Sequence, residues 1–318
     1  MPNVIQFRRF PIALALAGAI VLSAAPKAEF VAAWRDAEQA ALIDSAGRIH
    51  FFGAQGVTRS VALTANGRPM TWRHAPTSFT RWNSEWLVAD GTPQLRRFNA
   101  SGVFIAVVAV PANFSDLAVA GRTLWAANYL SKSPSTRLWS SSDGRTFTPV
   151  PMKDDVEDPL AALFRSHMIL AGSPRGDLFL AHLIDAPVVH RFYPPSRRAS
   201  QSVAYSRSRS RANLQMARSD VEDLAKYSTP VRDMIALTTA LVVLRNREDV
   251  RLPQGVVTQQ GIRADQYDAE GRHTASAVFP EPMKWILRSD ARHVTAVTTG
   301  GVVRVGRWGK PIAGGIVR

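Results

Sequence analysis

Short apolar segments, separated by turns of Gly, Pro, Asn, Asp and Ser, follow one another along the chain from about residue 40 to its end. The segments are about four to eight residues long, which favours strands over helices. They fall into six groups of three that can be laid over one another. The middle segment is often almost wholly apolar, as at residues 240–244, which is typical of a strand buried on both faces. The pattern predicts an all-β fold of repeated sheets.

A turn motif recurs in several of these groups. It reads Phe-Asn-Ala-Ser-Gly at residues 98–102 and Tyr-Asp-Ala-Glu-Gly at residues 267–271, and shorter versions end at Gly47 and Gly144. The 318 residues, less the 25 and 32 residues of two segments that depart from the repeat, leave 261, or about 43.5 for each of six units. A four-stranded propeller blade needs about 40–45 residues. The sequence therefore predicts a six-bladed β-propeller with four-stranded blades.

The first departure from the repeat is at residues 1–25, which have the layout of a secretory signal peptide. Arg8 and Arg9 precede the apolar residues 10–22, and small residues follow them. An uncleaved N-terminal anchor is the alternative. The apolar stretch is shorter than the roughly 20 residues of a membrane span, and no later segment is apolar enough to cross a bilayer. We therefore expect no transmembrane span in the mature chain.

The second departure is an insertion at about 199–230, within a propeller of residues 26–318. It begins with sequence rich in Ser and Arg and continues with a short helix predicted at residues 219–227. Ser219 and Glu222 have the spacing of a capping box at the start of this helix. Pro230 stops the helical pattern.

The two complete turn motifs are each followed by a strand that ends at a proline, Pro111 and Pro280. In these features the chain resembles the six-bladed β-propellers of the NHL and TolB-like type, which are widespread among exported bacterial proteins. The resemblance extends over nearly all of residues 30–318 and concerns architecture rather than chemistry. The fourth unit departs from it, because Pro-Pro-Ser-Arg at residues 194–197 replaces the expected turn. With the signal peptide, the resemblance predicts a periplasmic or secreted protein.

Composition limits the chemistry of the chain. It contains no cysteine, which excludes disulfides, thiolate catalysis and Cys-ligated metal sites. The formal net charge is +14, which is compatible with anionic lipid, glycan or nucleic-acid partners. The basic residues are spread along the chain, so no specific nucleic-acid partner is expected. Residues 191–211 hold six Arg and no acid, and we interpret them as a solvated insertion rather than a polyanion contact.

Propellers usually bind ligands at one mouth of the central channel, where loops lead into the innermost strands. The segments expected there carry basic residues, two carboxylates and a tryptophan: Arg35, Arg81, Asp116, Arg165, Arg232, Asp233, Lys284 and Trp285. We expect them to form a mouth suited to an anionic ligand. The alternative is that these charges are solvated or paired with one another at strand ends.

Some six-bladed propellers are metal-dependent lactonases or esterases, in which acidic and amide ligands converge from several inner strands. Calcium needs six or more oxygen ligands. Asp116 and Asp233 are the only carboxylates expected at the mouth, which argues against this activity. His182 and His190 could meet across a hairpin, but no third ligand is expected near them. We predict no catalytic residue, no metal and no cofactor.

The sequence thus predicts an exported, monomeric propeller that acts as a binding or protein-interaction module. Its partner would be a protein or an anionic ligand. A propeller hydrolase and a structural component of an envelope complex are the alternatives. The residues that form the repeat are turn and core residues, so a binding function must lie in the loops between them.

Overall fold

The chain folds into β-strands joined by turns. The computed structural model describes residues 29–36, 39–53, 56–128, 136–150, 168–182, 188–192, 201–204, 231–245, 250–252, 255–257 and 262–311. These ranges contain no α-helix, which agrees with the predicted all-β class. The predicted signal peptide at residues 1–25 and the predicted helix at residues 219–227 lie outside them.

The first three sheets have four antiparallel strands each, connected in chain order from the innermost strand outward. The first sheet consists of β1 (Phe30–Arg35), β2 (Ala40–Asp44), β3 (Arg48–Gly53) and β4 (Gly56–Ala62). A small hairpin, β5 (Thr64–Ala65) and β6 (Arg68–Pro69), follows it. The second sheet consists of β7 (Ser78–Trp82), β8 (Glu85–Ala89), β9 (Gln94–Phe98) and β10 (Phe104–Ala109). The third sheet consists of β11 (Phe114–Ala120), β12 (Thr123–Asn128), β13 (Leu138–Ser141) and β14 (Thr148–Val150).

Two more sheets have four strands, and the last sheet has three. The fourth sheet consists of β15 (Met168–Gly172), β16 (Leu178–His182), β17 (Val188–Phe192) and β18 (Gln201–Ala204). The fifth sheet consists of β19 (Val231–Ala236), β20 (Ala240–Arg245), β23 (Arg263–Asp268) and β24 (His273–Val278), with a hairpin of β21 (Val250–Leu252) and β22 (Gly255–Val257) between β20 and β23. The last sheet consists of β25 (Trp285–Ser289), β26 (His293–Val297) and β27 (Val303–Arg307).

The sheets close into a ring. The innermost strands β1, β7, β11, β15, β19 and β25 contact one another in this order, and β25 also contacts β1. This is the arrangement of a β-propeller with five four-stranded blades, with the three-stranded sheet between the fifth blade and the first. The prediction of six four-stranded blades is therefore wrong, because no fourth strand pairs with β27 in the described residues.

The predicted insertion at 199–230 also needs correction at its start. Residues 201–204 form β18, the outermost strand of the fourth blade, rather than part of an insertion. The sequence pattern does not predict this strand, because the outermost strand of a blade packs on one side only and needs few apolar residues. The rest of the predicted insertion lies outside the described residues.

Apolar side chains fill the spaces between neighbouring sheets. Six clusters of buried residues occupy these spaces, one between each pair of sheets. Between the last sheet and the first, Phe30 and Leu42 pack with Trp285 and Val297. Every residue of β2 is buried, as expected for a strand covered on both faces. Among the described residues, the ring is therefore closed by side-chain packing, and no strand is shared between the last sheet and the first.

The two complete turn motifs form the tight turns that the sequence predicts. Gly102 and Gly271 have φ angles of 83° and 80°, which side chains rarely tolerate. The side-chain oxygen of Asn99 accepts hydrogen bonds from the backbone N–H groups two and four residues later, and Asp268 does the same. The Asn or Asp and the Gly therefore shape each turn together.

Candidate binding site in the central cavity

A cavity of about 1010 Å³ lies on the axis of the ring. All six innermost strands contribute residues to its wall. Several of these strand residues are polar, among them Ser78, Thr80, Ser115, Asp116, Arg232 and Asp233. A concave, partly polar cavity at the meeting point of several elements is the usual form of a binding site.

The innermost strands run in the same direction around the axis, which fixes the end of the cavity at which each residue lies. The third residue of β11, Asp116, contacts the third residue of β15, Leu170. At the other end of these strands, the backbone N–H of Gly121 donates to the carbonyl of Ser173. Residues at the start of any innermost strand therefore share one mouth, and residues at its end share the other.

Asp116 links three neighbouring strands. Its Oδ1 accepts a hydrogen bond from Ser78 Oγ at 2.9 Å, and its Oδ2 accepts one from the backbone N–H of Leu170 at 2.8 Å. Its own neighbour Leu117 also donates to Oδ1. Burial nevertheless raises the pKa of Asp116 to about 6, and the negative charge of Asp233 adds to this.

Asp233 has the same position in β19 and the same structural use. In both β11 and β19, a β-bulge lies between the first residue and the aspartate. Asp233 Oδ2 accepts a hydrogen bond from the backbone N–H of Ile286 on the next innermost strand at 2.6 Å. It is also paired with Arg35, whose Nη2 lies 2.5 Å away. Burial raises the pKa of Asp233, and the charge of Arg35 opposes this rise.

Arg35 reaches from the end of β1 past β25 to β19. Besides the ion pair with Asp233, its Nη1 donates to the carbonyl oxygen of Met234 at 2.8 Å. The side chains of both ionic partners are mostly buried. The negative charge of Asp233 is therefore engaged by Arg35 and by a backbone N–H, and it forms no ion pair with its neighbour Arg232 in the described part of the chain.

Arg232 is the least satisfied cation at this mouth. Its Nε is buried, and no hydrogen-bond partner for it occurs among the residues that the structure describes. Burial lowers the pKa of Arg232, although the neighbouring carboxylate of Asp233 opposes this. An arginine stays charged in proteins, so it carries the cost of partial burial without an ion pair.

Lys284 adds a second positive charge at the same mouth. Its Nζ donates to the carbonyl oxygen of Phe30 at 3.3 Å and lies 4.2 Å from the centroid of the Trp285 ring. Burial lowers the pKa of Lys284, the charge of Arg232 lowers it further, and the exposed Glu29 acts in the opposite direction. Arg232, Lys284 and Trp285 thus form a cluster, which we call the basic mouth, with an excess of positive charge.

One further predicted site residue, Arg81, is separated from the basic mouth. Arg81 is the fourth of the five residues of β7, so it lies toward the opposite end of the cavity, with Asn83 and Ser84. The structure therefore does not place Arg81 with the basic mouth, and Arg35, the last residue of β1, reaches Asp233 only through its long side chain. Arg165 lies outside the described residues, and so do the side chains of His182 and His190.

The described parts of the molecule contain no candidate metal-binding group. Within them, no group of three or more His, Asp or Glu side chains is placed to hold a metal ion. The same residues contain no helix that is long and apolar enough to cross a membrane.

The chain is similar in fold to several solved structures. A chain of the mitotic checkpoint complex matches 100% of this chain and 91% of its own length, with a TM-score of 0.53 and 10% identity. The YCF48 protein bound to a D1 peptide matches 92% of this chain and 88% of its own length, with a TM-score of 0.49 and 10% identity. The Pan2 WD40 domain of Neurospora crassa matches 90% and 89%, with a TM-score of 0.47 and 9% identity.

These likenesses concern the fold alone, and the two with TM-scores below 0.5 add no argument to it. No protein-family model matches the chain, and no curated protein matches its sequence. The class that the fold defines is therefore the β-propeller. The narrower assignment to the NHL or TolB-like type stays a prediction.

Proposed function

We propose that this propeller is a protein-interaction module that binds an acidic group of its partner at the basic mouth. The observation that carries the proposal is the charge balance there. Arg232 and Lys284 are both partly buried, while Asp233 is already engaged by Arg35. A carboxylate bound between Arg232 and Lys284 would offset the cost of burying two like charges close together.

The buried Nε of Arg232 supports a ligand with oxygen acceptors. Buried polar groups in proteins are nearly always hydrogen-bonded, and the described residues supply no acceptor for this one. A carboxylate could accept from Nε and from a terminal nitrogen of the same guanidinium. The Trp285 ring beside Lys284 would contribute an apolar wall for the carbon atoms next to that carboxylate.

A binding titration with a defined acidic probe tests this proposal. Fluorescence anisotropy of labelled tetraglutamate would be measured with the full chain and with Arg232→Gln, Lys284→Gln and Arg122→Gln. Arg122 is exposed in a turn of the third blade, so its variant removes the same charge away from the mouth. We expect the first two variants to weaken binding roughly tenfold each, the scale of one charge-assisted hydrogen bond. Equal weakening by all three would show only general attraction to a cationic protein and would contradict the proposal.

The Arg232 variant has a second expected property. Because the guanidinium is partly buried without an ion pair, Arg232→Gln should leave the free energy of unfolding unchanged or raise it. A residue retained for the fold would behave in the opposite way. A loss of more than about 2 kcal/mol in urea unfolding would mean that Arg232 has a structural role.

We also propose that the sheet β25–β27 acts as a sixth, incomplete blade, and that the protein is exported and monomeric. Contacts of β25 with both β19 and β1 support the first point. The layout of residues 1–25 supports export to the periplasm or secretion. N-terminal sequencing of the mature protein distinguishes a cleaved signal from an N-terminal anchor. The metal-dependent hydrolase alternative finds no cluster of three or more metal-ligating side chains among the described residues.

A further inference from the structure

The last sheet has an open edge. Strand β27 pairs with β26 on one side, and no described strand pairs with its other side. After β27 the chain crosses to the neighbouring blade, where Gly309 forms an isolated bridge with Ser276 of β24. The chain therefore does not turn back along β27 up to residue 311, the last described position.

The direction of each backbone group in β27 follows from its hydrogen bonds at the two ends. The carbonyl of Val302 accepts a hydrogen bond from Thr298, and the N–H of Trp308 donates one to Arg292. Both contacts are on the β26 side of the strand. Because successive residues alternate in an antiparallel pair, residues 304 and 306 also face β26. The N–H and C=O groups of Val303, Val305 and Arg307 consequently face the open edge.

This edge is held in place by the rest of the molecule. Gly306 packs so closely against Ala277 and Phe279 of the fifth blade that an added Cβ would lie 3.2 Å from each. Val303 packs against the cluster between the last sheet and the first. Val305, in contrast, is 58% exposed. The outward carbonyl of Val303 accepts a hydrogen bond from Nη1 of Arg304 at 3.3 Å. A preformed strand whose other outward groups are open, and which carries an exposed valine, can accept another strand at little conformational cost.

We propose that β27 accepts an extended, acidic segment of a partner protein as the fourth strand of this sheet. The charges on the edge favour an acidic segment. Arg307 is exposed and forms no ion pair in the described part of the chain, and the exposed Arg292 lies beside the same end of the strand. Of the nearby acids, Glu281 is already paired with Arg304.

Charge also argues against the two ends of the chain and against a second copy of β27 as the occupant. Residues 1–28 contain Arg8, Arg9 and Lys27 and no acid, and residues 312–318 contain Arg318 and no acid. A second copy of β27 would bring its own Arg304 and Arg307 to the same edge. Like charges across a strand pair are destabilising. An acidic segment from another protein is the occupant that this edge fits best.

Amide hydrogen exchange of the full chain, followed residue by residue by NMR, tests the proposal. The probe is a blocked eight-residue peptide that alternates valine and glutamate. Without peptide, the outward amides of Val303, Val305 and Arg307 should exchange faster than those of residues 304 and 306, which bond to β26. With saturating peptide, the outward amides should slow by about tenfold or more, while residues 304 and 306 change little.

Two variants and a second peptide complete the test. Val305→Pro removes one outward N–H without touching the bonds to β26 and should weaken peptide binding by about tenfold or more, whereas Val305→Thr keeps the backbone donor and should bind within about threefold of wild type. The same peptide with lysine for glutamate should bind much more weakly. Slow outward amides in the free chain would mean that the chain covers its own edge. Slow exchange of these amides in the free chain would overturn the proposal. Equal binding of the two peptides would also overturn it, and so would equal peptide binding by the two variants.

Discussion

Replacing Arg35 by methionine should strongly destabilise the protein. The substitution removes the hydrogen bond from Nη2 to Asp233 Oδ2 at 2.5 Å and the one from Nη1 to the Met234 carbonyl at 2.8 Å. The Asp233 carboxylate, in a residue only 5% exposed, would retain the backbone N–H of Ile286 but no paired cation. Leaving one member of a buried ion pair uncompensated costs about 3–5 kcal/mol. We therefore expect the free energy of unfolding at pH 7 to fall by about 3 kcal/mol or more.

The pH dependence of this loss separates a charge effect from a packing effect. Burial already raises the pKa of Asp233, and loss of Arg35 should raise it further. When the pKa of a carboxyl group is higher in the folded state than in the unfolded state, the free energy of unfolding falls as the pH rises from the unfolded pKa to the folded pKa. Below the unfolded pKa the group is protonated in both states and causes no loss. Urea unfolding at pH 4 and pH 7 should therefore show a much smaller loss at pH 4. Arg122→Met is the control, because Arg122 is exposed. A loss that is below about 1 kcal/mol at pH 7, or equal at both pH values, would refute this reasoning.

Three further predictions concern the cavity wall and the fifth blade. The Asp116 carboxyl should titrate near pH 6 in carbon-13 NMR, because burial raises its pKa to about 6. The contribution of Asp116 to the free energy of unfolding should correspondingly fall by about 3 kcal/mol between pH 4 and pH 7. An NMR titration midpoint near pH 4 would contradict this prediction. Gly172→Ala should lower the unfolding free energy by about 2 kcal/mol or more, because the added methyl group would overlap the carbonyl oxygen of Val119; an unchanged melting temperature would disprove the close approach. Asp265→Asn should cost about 3 kcal/mol or more in urea unfolding at pH 7, because Asp265 is fully buried between two arginines; a neutral result would show that the network is dispensable.

Much of the fold could be predicted from apolar segments and turns, but not the innermost strands of the first two blades. The pattern identifies β2 and β8, which are buried on both faces, and it does not single out β1 or β7. Strand β7 carries Ser78, Thr80 and Arg81, because it borders the cavity. Strand β7 therefore lacks the apolar run or the regular alternation on which the prediction depends. Strand β1 has an apolar run at residues 30–34, which is not assigned to the first group of segments.

The blade count failed for a related reason. Dividing the length by six assumes equal units, but the last sheet has three strands and the connections between blades differ in length. After β27, Gly309 contacts Ser276 of the preceding blade, and the chain does not turn back along β27 in the described residues. The number of strands in the last sheet depends on pairing between residues that are distant in the sequence. A local sequence pattern does not predict such pairing.

The candidate site could be predicted only in part. Arg232, Lys284 and Trp285 were expected at the mouth because they precede or begin innermost strands, and the structure brings them together. The sequence could not predict which carboxylates remain free. Arg35 and Asp233 are 198 residues apart, and their pairing depends on the closure of the ring. That pairing engages Asp233, and Asp116 is bonded to Ser78 and Leu170, so both carboxylates link strands while Arg232 and Lys284 have no ion pair among the described residues.

The most direct test of the central claim is the NMR signal of the Arg232 Nε–H group during a titration with tetraglutamate. The account predicts that this signal shifts in a saturable way, that the shift is absent in Lys284→Gln at the same peptide concentration or needs about tenfold more peptide, and that Arg122→Gln behaves like wild type. An unchanged Arg232 signal at peptide concentrations that saturate binding would contradict it.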